Sequence, residues 1–248
     1  MPNAFIRRLE SFQPLQADER ELLEGMTRRV RDVDANQDLI SEGDSPEDVH
    51  LILEGFAVRY KLTAQGRRQI LAYMIAGDFC DVHVTLLRRM DHGIRTLRPS
   101  RVVRIPPGTL LDILERQPAI ARAIWLCGLV DEATQREWLV NVGQRSAPQR
   151  IAHLFCEMHV RMGTVGLTTN GSFELPLTQE ELGDTMGLSN VHVNRSLKEL
   201  REAELVTLRN GQIVISDVDR LKAFSGFDPS YLHLDRTPSF APADTDIG

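Results

Sequence analysis

No run of 18 apolar residues occurs anywhere in the 248-residue chain, so a membrane-spanning helix of ordinary length is excluded. The opening residues MPNAFIRRLESFQPL lack the apolar segment of a secretory signal, and the expected location is the cytoplasm. Cysteine is scarce. Cys80, Cys127 and Cys156 lie far apart with no paired spacing, which gives neither a disulfide framework nor a zinc finger. The seven histidines are scattered, no two within three residues of each other, and no P-loop, nucleophile elbow or dinucleotide fingerprint is present. Excess positive charge is also missing, since the formal net charge is −6. A polycationic mode of nucleic-acid binding is therefore ruled out, although a local basic face is not.

What is present is ordinary globular composition, 42% hydrophobic and 26% charged, on a chain long enough for two modest domains. From about Arg28 to Ile105, Gly43, Gly55, Gly66 and Gly77 recur every eleven or twelve residues. Between them lie VHLIL, FAVRYKL and RQILAYM, and SRVVRI follows before Pro106-Pro107. Short strands with regular turns predict an antiparallel β-barrel or jelly roll.

A helix is expected over Pro118 to Gln144. Ile120, Ile124, Cys127, Asp131, Thr134, Trp138 and Asn141 follow alternating spacings of four and three, a heptad seam that predicts a homodimer interface. Ser146 and Pro148 then mark the start of another helix, which makes the stretch near Gly143 to Ala147 the natural hinge.

The stretch TQEELGDTMGLSNVHVNRSLKELREAEL, Thr178 to Leu205, holds two helical patterns that collide at Gly187. Thr178 with Glu181 forms a capping box, and Ser189 offers a second N-cap hydroxyl. A turn this short crosses the helices steeply, as in a helix-turn-helix. The second helix leads with Asn190, Val191, His192, Asn194 and Arg195, then Lys198. Asn and Arg can each make two hydrogen bonds to a base edge, and helix N-termini attract phosphate, so this is a DNA-reading face. Thr178, Gln179, Ser189 and Arg209 complete the candidate set. Asn210-Gly211 is a type I′ signal between strand-like Val206 to Leu208 and Ile213 to Ile215, and Phe173 to Leu175 can add a third strand. The expectation is a winged helix-turn-helix. One fact opposes it: from Arg150 to Phe227, eight Lys/Arg face ten Asp/Glu.

The expected fold is thus α+β, in four parts: a sensing barrel with N-terminal helices at 1–115, a dimerisation helix and hinge at 116–145, a DNA-binding domain at 146–227 and a disordered tail at 228–248. This order resembles the CRP/FNR family of bacterial transcription regulators. The motifs that carry the resemblance are the helix-turn-helix with Gly183, Gly187 and Val193, GDF at Gly77 to Phe79, and RIAHLF after the hinge. The resemblance implies a homodimer on a palindromic site of double-stranded DNA, with recognition helices about 34 Å apart, and contact with RNA polymerase. It implies no membrane partner and no enzyme activity. A metal-dependent cupin-like enzyme and a nucleotide-binding regulatory subunit are the alternative readings.

Two departures from the family bear on its ligand. Cyclic-AMP-binding members hold the ligand with a Gly-Glu pair and an Arg-Ser pair after GDF, whereas this chain has Cys80-Asp81-Val82-His83 and, by register, Met90-Asp91. A cyclic phosphate facing Asp81 and Asp91 would be poorly paired, which argues against cyclic AMP unless Arg88, Arg89 or Arg95 takes the missing arginine's place. The oxygen sensors of the family carry a cluster of N-terminal cysteines, and none precedes Cys80, which argues against an iron–sulfur cluster. Haem-containing members place a Cys and a His in this segment, but the spacing of Cys80 and His83 differs. His83, Asp91 and His92 without a His-x-His pair do not make a metal site. Cys80, Asp81, His83, Arg95 and Thr134 remain as the candidate effector pocket, with the effector unidentified. On the DNA side, Arg195 matches the family's guanine-reading arginine, and Val191 replaces its glutamate.

Overall fold

The computed structural model describes residues 3–209 and 211–234, apart from the side chain of His83. Two helices, α1 (Ala4–Glu10) and α2 (Ala17–Met26), precede the strands β1 (Val30–Val33), β2 (Asp38–Ile40), β3 (Val49–Glu54), β4 (Ala57–Leu62) and β5 (Arg68–Met74). A 3-10 turn at Val82–Thr85 leads to β6 (Gly93–Thr96) and β7 (Ser100–Ile105), then α3 (Pro107–Arg116) and the long α4 (Pro118–Gln144). After the hinge come α5 (Ala147–Thr164), β8 (Thr168–Thr169), β9 (Ser172–Glu174), α6 (Gln179–Met186), α7 (Asn190–Glu202), β10 (Val206–Arg209), β11 (Gln212–Ile215), α8 (Val218–Ser225) and a last 3-10 turn at Pro229–Leu232.

The barrel is two antiparallel sheets in the orders β1-β7-β3 and β2-β6-β4-β5, closed over Leu51, Ile52, Val58, Ile94 and Val103. Gly55 shows why glycine punctuates it. Its φ is +102°, and a Cβ there would lie 2.3 Å from the Ser100 hydroxyl. In the C-terminal half, β10-β11-β9-β8 form the wing sheet, with Arg209 paired to Gln212 across a two-residue turn. Asn210 of that turn lies outside the described residues, and Gly211 has the positive φ expected there, +79°.

Two expectations change. The heptad seam on α4 turns inward: Ile120, Ile124, Thr134, Trp138 and Asn141 are buried within the protomer, Cys127 is half-buried, and Asp131 alone is exposed. α3, the Pro229–Leu232 turn, α1 and α5 pack on the helix, and Trp138 meets Tyr73 of the barrel, so the buried residues of the seam are covered within one protomer. The helix's free apolar residues are others, Trp125 (71% exposed), Leu129, Leu139 (75%), Val140 and Val142. The second change concerns the tail. Asp228–Leu234 is folded, with Leu232 buried and the Tyr231 hydroxyl donating to Glu157 at 2.9 Å; residues 235–248 lie outside the described ones.

The two halves share one core. Phe56, Val58, Tyr73 and Ile75 of the barrel pack in a single cluster with Leu154, Phe155, Leu182, Val193 and Leu200 beyond the hinge.

Candidate DNA interface and effector cavity

The helix-turn-helix is built by local chemistry. Thr178 caps α6 reciprocally with Glu181, its hydroxyl accepting from Glu181 N at 3.1 Å while its own N–H donates to Glu181 Oε2 at 2.7 Å. Gly187 ends the helix in the left-handed region, φ +64°. Gly183 allows the close crossing, because a Cβ there would stand 2.6 Å from the Leu188 carbonyl. Ser189 caps α7 by accepting from His192 N at 3.4 Å. Val193, Leu197 and Leu200 bury one face of α7, which leaves Asn190, Val191, His192, Asn194, Arg195 and Lys198 exposed on the other. Among the described residues, neither Asn194 nor Arg195 has a side-chain partner within the protein. Lys198 is held by Glu202 at 3.5 Å. Gln179 is exposed at the start of α6, and Arg209 stands at the tip of the wing.

Barrel arginines missed by the sequence reading meet the acidic α6. Arg68 of β5 pairs with Asp184 at 2.7 Å, and Arg98 approaches Glu181 at 3.9 Å while donating to the Pro176 carbonyl. Gln69 donates to the Thr185 carbonyl at 3.1 Å, and the Tyr73 hydroxyl bonds the Thr185 hydroxyl. The only sequence signal for this docking was the run Arg67-Arg68 in a hairpin turn.

A cavity of about 510 Å³ opens between β4, β5, the segment before β6, and α4. Its walls include Arg59, Leu71, Asp81, His92 and Trp138, and Thr185 of α6 reaches it as well. Of the five expected pocket residues, Asp81 lines it. Thr134 faces a smaller crevice beside it, with Arg59 and Asp131. Cys80 is fully buried and does not line the cavity, and burial pushes its thiol well above the usual range. Arg95 points elsewhere, clamped on Asp38 by two hydrogen bonds of 2.8 and 2.6 Å and stacked on Tyr60. It therefore cannot serve as a phosphate ligand. The side chain of His83 lies outside the described residues.

The cavity's polar end is built from acids. His92 stands between two carboxylates, Nδ1 at 2.7 Å from Asp91 and Nε2 at 3.2 Å from Asp81. Its one arginine, Arg59, spends Nη2 on the Cys80 carbonyl at 2.9 Å and lies 4.0 Å from Asp131. A cyclic phosphate would face Asp81 and Asp91 with only a committed cation to balance it, so the donor set does not fit a cyclic nucleotide. Among the described residues, no three His, Cys, Asp or Glu side chains converge to hold a metal ion, and no helix is long and apolar enough to cross a membrane.

A two-sheet barrel, a long connecting helix and a winged helix-turn-helix with its polar recognition face outward define a class, the DNA-binding transcription regulators. The chain belongs to the CRP/FNR family within it. Residues 30–117 match the profile of the cyclic nucleotide-binding domain, and residues 149–224 match that of the Crp-like helix-turn-helix domain. Among curated relatives, the chain is similar to the fumarate and nitrate reduction regulatory protein of Vibrio cholerae, 23% identical over 215 residues that span 86% of each chain. It is also similar to the nitrogen fixation regulation protein FixK of Bradyrhizobium diazoefficiens, 25% identical over 85% of this chain and 87% of that one. Its fold superposes on FixK2 from Bradyrhizobium japonicum with a TM-score of 0.70 at 22% identity, covering 79% of this chain and 96% of the other.

Proposed function

We propose that this transcription regulator acts as a homodimer on a palindromic operator, binding DNA and RNA polymerase in the cytoplasm and catalysing nothing. The observation that carries the reading is the exposed leading face of α7, where Asn190, Asn194 and Arg195 have no side-chain partner within the described protein. Arg195 reads a guanine through two hydrogen bonds, and Val191 offers only apolar contact, such as a thymine methyl. Dimerisation uses the exposed stripe of α4 around Trp125, Leu129 and Leu139 rather than the buried seam. Two α7 helices then enter successive major grooves.

The cavity beside Trp138 takes a small effector other than a cyclic nucleotide. Its walls belong to the barrel, to α4 and to α6, so a ligand that binds two packings of these elements unequally shifts the population of DNA-competent dimers.

The test begins with duplexes selected from random DNA by the purified protein. Arg195→Ala should weaken binding to the selected duplex by about 1–3 kcal/mol and relax preference at one position of each half-site. Equal affinity of the variant and the parent for that duplex would remove Arg195 from the readout.

A further inference from the structure

The tip of the hairpin joining β4 to β5 stands beside the turn between α6 and α7. A cleft of about 630 Å³ separates them, with Thr63, Gly66 and Arg67 on the barrel side and Glu180, Gly183 and Ser189 on the other. The hairpin tip is held by its own backbone: Thr63 N donates to the Arg67 carbonyl at 2.8 Å, Gly66 N donates to the Thr63 carbonyl at 2.8 Å, and Arg67 N donates to the Thr63 hydroxyl at 3.2 Å. Arg67 is exposed, and among the described residues its guanidinium has no acidic partner. Its neighbours differ in this respect. Arg68 is committed to Asp184, and Arg98 faces Glu181.

We infer that Arg67 is a DNA-backbone contact, by which the sensor barrel itself grips the phosphodiester strand running past the N-cap of α7. The inference rests on α7 being the recognition helix. Two further observations support it. The residues from Arg150 to Phe227 carry more acid than base, ten against eight, so the DNA-binding half has no excess of phosphate-neutralising cations and a cation from the barrel would add to its few. Two of the three carboxylates on α6 are already offset by arginines from the barrel, which places the compensating charge on the other domain. The third, Glu180, lines the same cleft as Arg67. A phosphate approaching Ser189 would meet Glu180 unopposed if Arg67 were absent. With Arg67 present, the strand passes between a helix N-terminus and a guanidinium, both favourable to an anion.

The contact carries no sequence information, so its signature is ionic. Binding of the full-length protein to one selected duplex and one scrambled duplex is measured across salt concentrations, for the parent and for Arg67→Ala, Arg67→Lys and Arg29→Ala. Arg29 is likewise exposed and lies at the start of the barrel, so its removal controls for net charge. Arg67→Ala should weaken both duplexes alike and lower the slope of log affinity against log salt by about 0.9 for each protomer bound. Between about 50 and about 200 mM salt, the ratio of parent to variant affinity should therefore shrink by about 3.5-fold per protomer. Arg67→Lys should keep the parental slope. A slope for Arg67→Ala equal to that of Arg29→Ala overturns the inference, as does a loss of affinity with no change in slope. A parent protein that selects and binds no duplex overturns the DNA reading itself, and the inference with it.

Discussion

At the scale of single residues, His153 shows how burial chooses a protonation state. It is fully buried on α5, its ring 5.0 Å from that of Phe227 and stacked at 6.2 Å on Tyr231. Nε2 lies 3.2 Å from Glu137 Oε1, which would favour the imidazolium, but the same oxygen accepts from Arg145 Nη2 at 2.7 Å. Burial first, and the Arg145 charge second, therefore hold the imidazole neutral, with its pKa pushed down to about 3 from 6.5. A group whose pKa is depressed on folding in this way contributes stability that is complete above pH 6.5 and is lost as the unfolded histidine takes up its proton below that value. His153→Phe, which keeps the aromatic packing, should remove this term. Urea unfolding of the parent should lose up to about 1.4 kcal/mol more per pH unit than the variant between about pH 6 and pH 4, with parallel behaviour above pH 7. His50, also driven down to about 4 by burial, has the same sign and is common to both proteins, so it cancels in the comparison. Identical pH profiles would show that folding leaves the protonation of His153 unchanged.

At the scale of elements, α4 marks the limit of what its pattern could say. The spacing from Ile120 to Asn141 located the helix, with its bounds at Pro118 and Gln144, because periodicity reports which side of a helix is buried. It does not report what buries it. α3, the Pro229–Leu232 turn, α1 and α5 pack against the helix, and its inward polar groups serve the protomer: Asn141 donates to the Arg150 carbonyl at 3.3 Å, and Trp138 donates to Glu157 at 2.9 Å. The strands and the helix-turn-helix were legible for the opposite reason. Their caps, glycines and alternation are local, and the capping box at Thr178 and the left-handed Gly187 need no distant partner. The cavity was only half legible, since Asp81 and His92 come from one segment while Arg59, Trp138 and Thr185 converge from three others. The exposed stripe of α4 supplies the element-scale prediction. A large aromatic at 71% exposure, one turn from Leu129, has the character of an interface anchor. Trp125→Glu places like charges near a two-fold axis and should weaken self-association at least about tenfold, from a species of twice 28.0 kDa toward one chain in sedimentation equilibrium. A dimer of unchanged stability would move the interface off this helix.

At the scale of the whole molecule, the chain order of the two halves could be read from sequence, but their docking could not, because it depends on pairs far apart in the chain. Arg161 of α5 is the joint. Its guanidinium donates to the Tyr73 carbonyl at 2.8 Å and to Asp78 at 2.9 Å in the barrel, and to Glu157 at 3.2 Å on its own helix. Glu157 is fully buried and also accepts from Trp138 and Tyr231, so α4 and the folded end of the chain at Pro229–Leu232 hang on the same carboxylate. Neutral donors can orient that carboxylate, but Arg161 is the cation that offsets its charge. Asp78 is better protected, since Arg8 of α1 lies 3.3 Å away. Arg161→Met should therefore destabilise the protein by about 3–5 kcal/mol, chiefly by stranding Glu157, and the added change Glu157→Gln should recover part of that loss. In the parent, the shared core predicts one cooperative urea transition, with far-ultraviolet dichroism and tryptophan fluorescence coincident, because both tryptophans lie on α4 between the halves. In Arg161→Met the barrel and the winged domain lose a buried ionic tie, and the two probes should separate. A variant that unfolds in one step within about 1 kcal/mol of the parent would show that the sensor and the DNA-binding domain stay joined without Arg161.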